Sequence, residues 1–307
     1  MKFRYKKIQH LSEYLVFLFF SSWAPLLARS QIFYLSRFFG RLGYYLLPRR
    51  RAVAETNLKL AFPEFNGPKR KSIIIKSFGN VALGILYILW LKKITREKID
   101  SLVEVDSGSL DHMRRAFEKK RGVLALVAHF GNWELMGVSY GYNDLPALNS
   151  IARKLDNPYL EKRLRQFRTA SGNYVIHKKD ASKGIIKALK RNECVALMLD
   201  HNVAKNEVFV DFFGKKAATT RSLASLALAT GVPIIPATSY PLEDGRFRTV
   251  YGPEIKIDQT GDKKKDILFL TQKCTGHIQE KIRECPEGWM WGHRRWKKRP
   301  KGEPPIY

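Results

Sequence analysis

The hydrophobic pattern changes character near residue 103. Before it the chain carries long apolar or amphipathic stretches, and after it short apolar runs alternate with longer amphipathic ones. Short runs bounded by turn residues are typical of buried strands, and the longer stretches of helices. This alternation indicates an α/β fold with a twisted, mainly parallel or mixed sheet flanked by helices. Strands are predicted at residues 122–128, 147–152, 174–177, 194–199, 207–212, 233–238 and 247–251. Helices are predicted at residues 109–120, 133–141, 157–171, 181–191, 219–230 and 264–284.

The first apolar stretch, residues 14–27, follows a basic start that includes Lys2, Arg4 and Lys6. It is shorter than the roughly 20 residues of a clean transmembrane helix. No small-residue cleavage site follows it, which argues against a signal peptide. We therefore predict an N-terminal membrane-anchoring helix, either spanning or re-entrant, with the rest of the chain on the cytoplasmic face.

A second apolar stretch, residues 73–91, carries polar side chains at Lys76, Ser77 and Asn80. At helical spacing these three fall on one face. Two interpretations stay open. The stretch is either a core helix or an amphipathic helix partly embedded in the membrane.

The charge is strongly basic, with 55 Lys and Arg against 28 Asp and Glu and a net charge of +27. Such a charge favours an anionic partner, whether nucleic acid, an anionic membrane or an acidic protein. No zinc-ligand spacing, RNP-like block or basic heptad pattern supports nucleic acid. Basic and aromatic residues lie side by side at residues 44–51, as at a membrane surface. The three cysteines form no CxxC pair and give no metal site.

The end of the chain combines charge with aromatic side chains. Six basic residues lie among three tryptophans in residues 289–301. Because indole rings sit readily at membrane interfaces, we expect this segment to contact lipid headgroups or a carrier protein. The predicted organisation is an anchoring helix (1–40), a helical membrane-proximal segment (41–100), an α/β core (101–285) and a basic aromatic tail (286–307).

The strongest chemical signal lies at residues 129–134, His-Phe-Gly-Asn-Trp-Glu, directly after an apolar run. Five residues along a continuous helix would separate His129 and Glu134 by about 140°. A turn at Gly131 removes that separation, and strand-to-helix turns are where open α/β sheets keep their chemistry. We expect Glu134 to contact one nitrogen of His129, leaving the other nitrogen to accept the proton of a hydroxyl group.

This block resembles the HX4D/E signature of glycerolipid-type acyltransferases. Its wording is closer to the bacterial branch that makes lipid A, the lauroyl and myristoyl acyltransferases that act late on Kdo-lipid A. The wider superfamily carries a Glu-Gly-Thr-Arg-like third block that residues 200–202 do not reproduce, so glycerophosphate recognition is not carried over. Further blocks resembling the lipid A branch follow in order at residues 151–158, 197–202, 208–215 with a Thr-rich turn at 218–221, 231–236 and 286–297.

The resemblance implies a transferase that moves a fatty acyl chain from an acyl-carrier-protein thioester, or coenzyme A, to a hydroxyl of a Kdo-lipid A precursor. It implies a location at the cytoplasmic face of the bacterial inner membrane. It also implies that His129 is the general base and that Glu134 assists it. No cofactor and no metal ion are expected. The alternative is a related acyltransferase acting on a lysophospholipid, a glycosylated phosphoinositide or an amino-acid lipid. A non-catalytic scaffold is disfavoured by the intact His129 and Glu134.

The other candidate residues follow from the same blocks. The arginine of the family's second block is held to bind substrate phosphate, which assigns that role to Arg153, with Lys154 beside it. A guanidinium suits phosphate because it binds two oxygens at once. Arg221 is a weaker phosphate candidate. Asp200, grouped with the substrate-binding residues, is either structural or orders the site, and His201 ranks second as a base.

Overall fold

The computed structural model describes residues 2–178 and 181–307. Residues 2–100 form helices joined by short loops, and the described residues after them form the α/β part. The helices are α1 (Lys2–Trp23), α2 (Arg29–Leu46), α3 (Pro48–Ala61), α4 (Gly67–Trp90), α5 (Arg96–Asp100), α6 (Ser107–Glu118), α7 (Trp133–Tyr140), α8 (Pro158–Thr169), α9 (Ala181–Lys190), α10 (Ser222–Thr230) and α11 (Lys263–Glu284). The strands are β1 (Val103–Val105), β2 (Val123–Val127), β3 (Leu148–Ala152), β4 (Tyr174–His177), β5 (Cys194–Met198), β6 (Glu207–Phe212), β7 (Lys215–Thr220), β8 (Ile234–Pro241) and β9 (Phe247–Tyr251).

Seven strands form the central sheet, in the order β1-β9-β8-β2-β5-β3-β4. The β8–β9 pair is antiparallel, and every other pair in this sheet is parallel. Strand β2 lies in the middle and all five of its residues are buried, as its uninterrupted apolar run requires. The predicted α/β fold with a mainly parallel or mixed sheet is confirmed.

The sequence missed two strands, β1 and β7. Helix α10 was predicted from residue 219, but residues 219 and 220 belong to β7, which pairs with β6 as a separate hairpin. The connecting residues Phe213 and Gly214 both have positive φ, 51° and 71°, as a two-residue hairpin turn of type I′ requires. Pairing with β6, rather than any alternating pattern in β7 itself, makes this segment a strand.

Helices α2 and α4 pack closely along their length. A Cβ atom on Gly40 would lie 2.5 Å from the carbonyl oxygen of Ile75, so this crossing needs a glycine. Within the described residues, α4 is the one helix long and apolar enough to cross a membrane. Of its most apolar 18-residue stretch, 44% is buried inside the protein. Its polar face points into the protein, where Ser77 donates to the Trp289 carbonyl at 2.5 Å and Asn80 to the Glu287 carbonyl at 2.9 Å. This inward face supports the core-helix interpretation.

Helix α1 contains most of the predicted anchor, residues 14–27, and ends at Trp23 just before Pro25. It is tied to the body of the protein through Asn157, whose amide donates to the His10 carbonyl at 2.8 Å and to Glu13 at 2.9 Å. Much of its surface is exposed and apolar, at Ile8, Leu11, Leu15, Val16, Leu18, Phe19 and Phe20.

The prediction that the tail tryptophans contact lipid headgroups or a carrier is wrong. Trp289, Trp291 and Trp296 are at most 1% exposed and form part of the main core. Arg295 is fully buried beside them and donates to the Ala218 carbonyl at 2.8 Å and to the Thr219 hydroxyl. Burial lowers the pKa of Arg295 to about 10, against the opposing charge of Asp200. The large apolar area of three indoles favours the interior over an exposed tail.

Candidate active site

The sheet register places a histidine beside a carboxylate. In the parallel pair β2–β5, Val127 lies opposite Met198. His129 and Asp200 each come two residues later, so both emerge from the carboxyl edge of the sheet at the same level. Ligands and catalytic groups of open α/β sheets collect at this edge.

Asp200 is held by three N–H groups. Its Oδ1 lies 2.9 Å from His129 Nδ1, and its Oδ2 accepts from the His129 backbone N–H and from Trp289 Nε1, each at 2.9 Å. Burial would raise the pKa of Asp200, but the charge and hydrogen bond of His129, with the Trp289 hydrogen bond, hold it below its ordinary value. The ionised carboxylate therefore keeps the hydrogen on His129 Nδ1 and leaves Nε2 available as a base.

The predicted contact between Glu134 and His129 is not found. Arg168, on α8, binds the Glu134 carboxylate with two hydrogen bonds of 2.8 and 2.5 Å. Glu134 lies in the first turn of α7, where the helix dipole favours a negative charge. Burial would lower the pKa of Arg168, but the hydrogen bond and charge of Glu134 raise it. The contact with His129 that was predicted for Glu134 is made instead by Asp200, from the neighbouring strand.

The turn after His129 is locked by the end of the chain. Gly131 has a φ of 58°, and a Cβ atom there would lie 1.7 Å from the Ser239 carbonyl oxygen. Its N–H donates to the Gly288 carbonyl at 2.8 Å, and the Met290 N–H donates to the His129 carbonyl at 3.1 Å. The segment that was predicted to be a tail thus fixes the position of the candidate base.

Three histidine rings stack in a row. The His129 ring lies 3.6 Å from the His201 ring at an interplanar angle of 3°, and His201 lies 4.0 Å from His293 at 16°. Burial, with repulsion from the neighbouring cations, lowers the pKa of His201 to about 3 and that of His293 to about 4, although Asp200 opposes both shifts. His201 and His293 are therefore neutral at physiological pH, and a pKa of about 3 makes His201 a much weaker base than an ordinary histidine, which disfavours it as the rival base.

A cavity of about 260 Å³ opens beside His129 and runs between the sheet and α7. Glu134 and Arg168 line its wall. Ala125 and Ala196, which are opposite each other on β2 and β5, also line it, and their small side chains leave space in the cavity. From His129 back to Ala125 is about 13 Å along a strand that rises about 3.3 Å per residue. The remaining lining is mostly apolar, at Val127, Trp133, Met136, Val138, Tyr140, Leu148, Ile151, Met198, Ala237 and Tyr251.

The other predicted residues do not gather at one point. Arg153 lines the cavity, but its side chain is 78% exposed and pairs with Asp156 at 3.0 Å. Lys154 is exposed and does not line this cavity. Arg221 is exposed at the start of α10 and also lies outside the lining. Asp200 is buried against His129 and does not line the cavity.

One group of side chains in the described part of the chain is close enough to share a metal ion. His129, Asp200 and His201 each place a ligand atom within 4.8 Å of the others. Both Asp200 oxygens already accept N–H groups. The existing hydrogen bonds suit proton transfer through His129.

Sequence reasoning missed Arg168 and His293 and misplaced Trp289. The polar helix that contains Arg168 carries several arginines, and nothing in the sequence distinguishes this one. Asp200 did carry a signal, because His129 and Asp200 each lie just beyond a predicted strand. Placing those two strands side by side would have brought them together.

Comparison with known proteins gives a consistent result. The family model for bacterial lipid A biosynthesis acyltransferases matches residues 1–298. A lipid A biosynthesis lauroyltransferase of Escherichia coli K12 is 29% identical over 271 residues, which cover 87% of this chain and 86% of the relative. A lipid A biosynthesis palmitoleoyltransferase of the same strain is 27% identical over 275 residues, which cover 87% of this chain and 85% of the relative. A phosphatidylinositol mannoside acyltransferase of Mycolicibacterium smegmatis is 25% identical over 197 residues, which cover 63% of this chain and 62% of the relative.

Proposed function

This chain belongs to the family of bacterial lipid A biosynthesis acyltransferases and is an acyltransferase, and from that premise we propose its reaction. It transfers a fatty acyl chain from an acyl-carrier-protein thioester to a hydroxyl of a Kdo-lipid A precursor. The observation that carries the proposal is the His129–Asp200 pair beside a mostly apolar cavity that His129 lines. The cavity suits an acyl chain, and the histidine suits the activation of a hydroxyl group.

In the proposed reaction the donor chain lies in the cavity with its thioester carbonyl near His129. Nε2 takes the proton of the acceptor hydroxyl as the oxygen forms the new ester bond to the carbonyl carbon. The carbon–sulfur bond breaks, its electron pair stays on the carrier sulfur, and the sulfur takes the proton from the imidazolium. Asp200 stabilises that imidazolium throughout. Neither a covalent acyl-enzyme nor a cofactor takes part in this sequence.

The stacked histidines support this role for His129. When His129 is protonated, the neighbouring ring of His201 stays neutral, because its pKa is about 3. A charged neighbour at a ring separation of 3.6 Å would disfavour the imidazolium. The row therefore keeps the base in place without opposing its protonation.

A second apolar groove suits the acceptor. It has a volume of about 470 Å³, lies between α2 and α4, and is lined by His293 and Arg50 among mostly apolar side chains. The histidine row thus separates two apolar spaces, as a reaction between two acylated substrates needs. We place an acyl chain of the acceptor here, and Arg153 at the mouth of the first cavity is positioned to meet an anionic group.

The proposed location is the cytoplasmic face of the inner membrane. The exposed apolar side chains of α1 and α2 support membrane attachment, and the net charge of +27 suits both an anionic membrane and an acidic carrier protein. The alternative is transfer to a phosphoinositide mannoside or another lipid. It is less well supported, because the lipid A relatives share more of the chain with this protein than the mannoside relative does.

The test is acyl transfer by the purified full-length protein. Acyl carrier protein loaded with chains of several lengths is offered with Kdo-lipid IVA, with lysophospholipid, or with no acceptor. We expect transfer to Kdo-lipid IVA from the carrier thioester. Transfer to lysophospholipid alone would be consistent with the proposed reaction but would contradict the proposed acceptor. Equal or faster transfer from acyl coenzyme A would contradict the proposed donor.

A further inference from the structure

A separate concave surface, the basic pocket, lies between α2 and the first half of α4, closed on one side by Glu243 of the β8–β9 turn. Its volume is about 630 Å³, and it shares no lining residue with the cavity beside His129. Four cationic side chains line it, together with the hydroxyl of Ser72: Arg37, Arg41, Lys71 and Lys76.

The positive charge of the basic pocket is not balanced. Lys76 pairs with Glu287 at 3.4 Å, but across the part of the chain that the structure describes, Arg37, Arg41 and Lys71 have no carboxylate within 4.0 Å. Like charges that converge in a concave surface raise the local concentration of anions. The uneven balance of charge therefore favours an anionic ligand in the basic pocket.

Two of these cations are held in place by uncharged groups. Arg37 lies 4.7 Å from the centre of the Phe33 ring and donates to Asn80 Oδ1 at 3.4 Å. Lys71 donates to the Tyr45 hydroxyl at 3.1 Å. Burial lowers the pKa of Arg37 despite the charges of Glu287 and Glu243, so an added anion would stabilise this guanidinium.

The surroundings of the basic pocket indicate where that anion comes from. Helix α2, which supplies Arg37 and Arg41, exposes Tyr34, Phe38 and Tyr45 to solvent. Exposed aromatic rings next to cations are the composition of a surface at the level of lipid headgroups. A soluble anion would need no such apolar border.

We propose that the basic pocket binds the phosphate group of an anionic membrane lipid and so docks the N-terminal helices on the membrane. Guanidinium and ammonium groups are suited to phosphate oxygens. The site does not contribute to proton transfer at His129. The proposal also holds whichever lipid accepts the acyl chain, so it stands or falls separately from the proposed function.

The test compares two double variants of the full-length protein that lose the same charge. Arg41→Gln/Lys71→Gln changes two exposed side chains of the basic pocket, and Lys263→Gln/Lys264→Gln changes two exposed side chains at the start of α11. Affinity is measured by co-sedimentation with phosphatidylcholine vesicles that do or do not contain phosphatidylglycerol. Thermal melting checks that both variants are folded, and Arg41→Glu alone is a second probe on the exposed side of α2.

We expect the pocket variant, which loses two cations, to bind the phosphatidylglycerol vesicles about 25-fold more weakly, at about fivefold per cation. The α11 variant should lose much less, and binding to pure phosphatidylcholine should not differ between them. Equal losses in both variants, or none in either, would overturn the proposal. If the pocket variant instead loses binding of inorganic phosphate while its vesicle binding is unchanged, the ligand is a soluble anion and the lipid assignment fails.

Discussion

Two hydrogen-bonded pairs of side chains lie at the same cavity, and they differ in the groups that they contact. His129–Asp200 joins the ends of two neighbouring strands, with the carboxylate 1% exposed and one ring nitrogen free. Glu134–Arg168 joins two helices through two hydrogen bonds, and both carboxylate oxygens of Glu134 accept from the guanidinium. The first pair can move a proton at the mouth of the cavity. The second fixes the cavity wall.

The comparison shows that spacing in a motif does not establish contact. His129 and Glu134 are close in sequence, but the carboxylate of Glu134 binds Arg168 and not the histidine. The group that holds His129 lies 71 residues further along the chain. Strand register, which sets the position of Asp200, is a long-range property.

The largest effect is expected from His129→Ala. Removing the base should lower the rate of acyl transfer by about 10²–10⁴-fold, because general base catalysis contributes on this scale. The rate is measured with saturating donor and acceptor, and thermal melting shows whether the fold is kept. A variant that acylates as fast as the wild type would remove the catalytic meaning of the first pair.

A substitution far from His129 in the cavity should change the preferred length of the donor's acyl chain without removing the base. Ala196→Leu fills space opposite Ala125, so we expect the preferred acyl chain to become shorter, with about a tenfold shift in relative rates between long and short donors. Competition between acyl-carrier-protein donors of different length measures this shift. Ala196→Gly is the matched control and should not shorten the preferred chain. An unchanged preference in Ala196→Leu would place the acyl chain elsewhere.

The second pair should matter for stability more than for rate. Glu134→Gln leaves Arg168 without its partner and should lower the free energy of unfolding by about 1–3 kcal/mol. Replacing both groups, as in Glu134→Gln/Arg168→Met, should recover part of that loss because no unpaired charge remains. Denaturant unfolding of the single and double variants measures both values. A double variant less stable than Glu134→Gln would contradict this account of the pair.

The smallest effect concerns the histidine row and acid. An unfolded histidine takes up a proton near pH 6.5, whereas His201 in the folded protein does so only near pH 3. The unfolded state therefore binds more protons between these values, and stability falls as the pH is lowered through that range. His201→Phe keeps a stacked ring and should reduce this slope by about one proton. Unfolding free energies measured from pH 7 to pH 4 test this, and an unchanged slope would show that His201 is not buried neutral.

The parts of the fold that could be predicted from sequence were those set by local patterns. The uninterrupted apolar run of β2 and the turn at Gly131 gave the strand, the following helix and the position of His129. Strand β7 escaped because its sequence, Lys-Lys-Ala-Ala-Thr-Thr, alternates weakly and becomes a strand only by pairing with β6. Trp289 was misplaced because composition alone does not separate an interfacial indole from a buried one. Its position depends on the turn at His129, which lies 160 residues earlier.

The central claim is that Asp200, and not Glu134, positions the base. The most direct measurement is the initial rate of acyl transfer by Asp200→Asn and Glu134→Gln, side by side, with both variants shown to be folded. We predict a loss of about 10³-fold for Asp200→Asn, as expected when a base loses the carboxylate that fixes its tautomer, and less than about tenfold for Glu134→Gln. A loss in Glu134→Gln that equals or exceeds the loss in Asp200→Asn would contradict the claim.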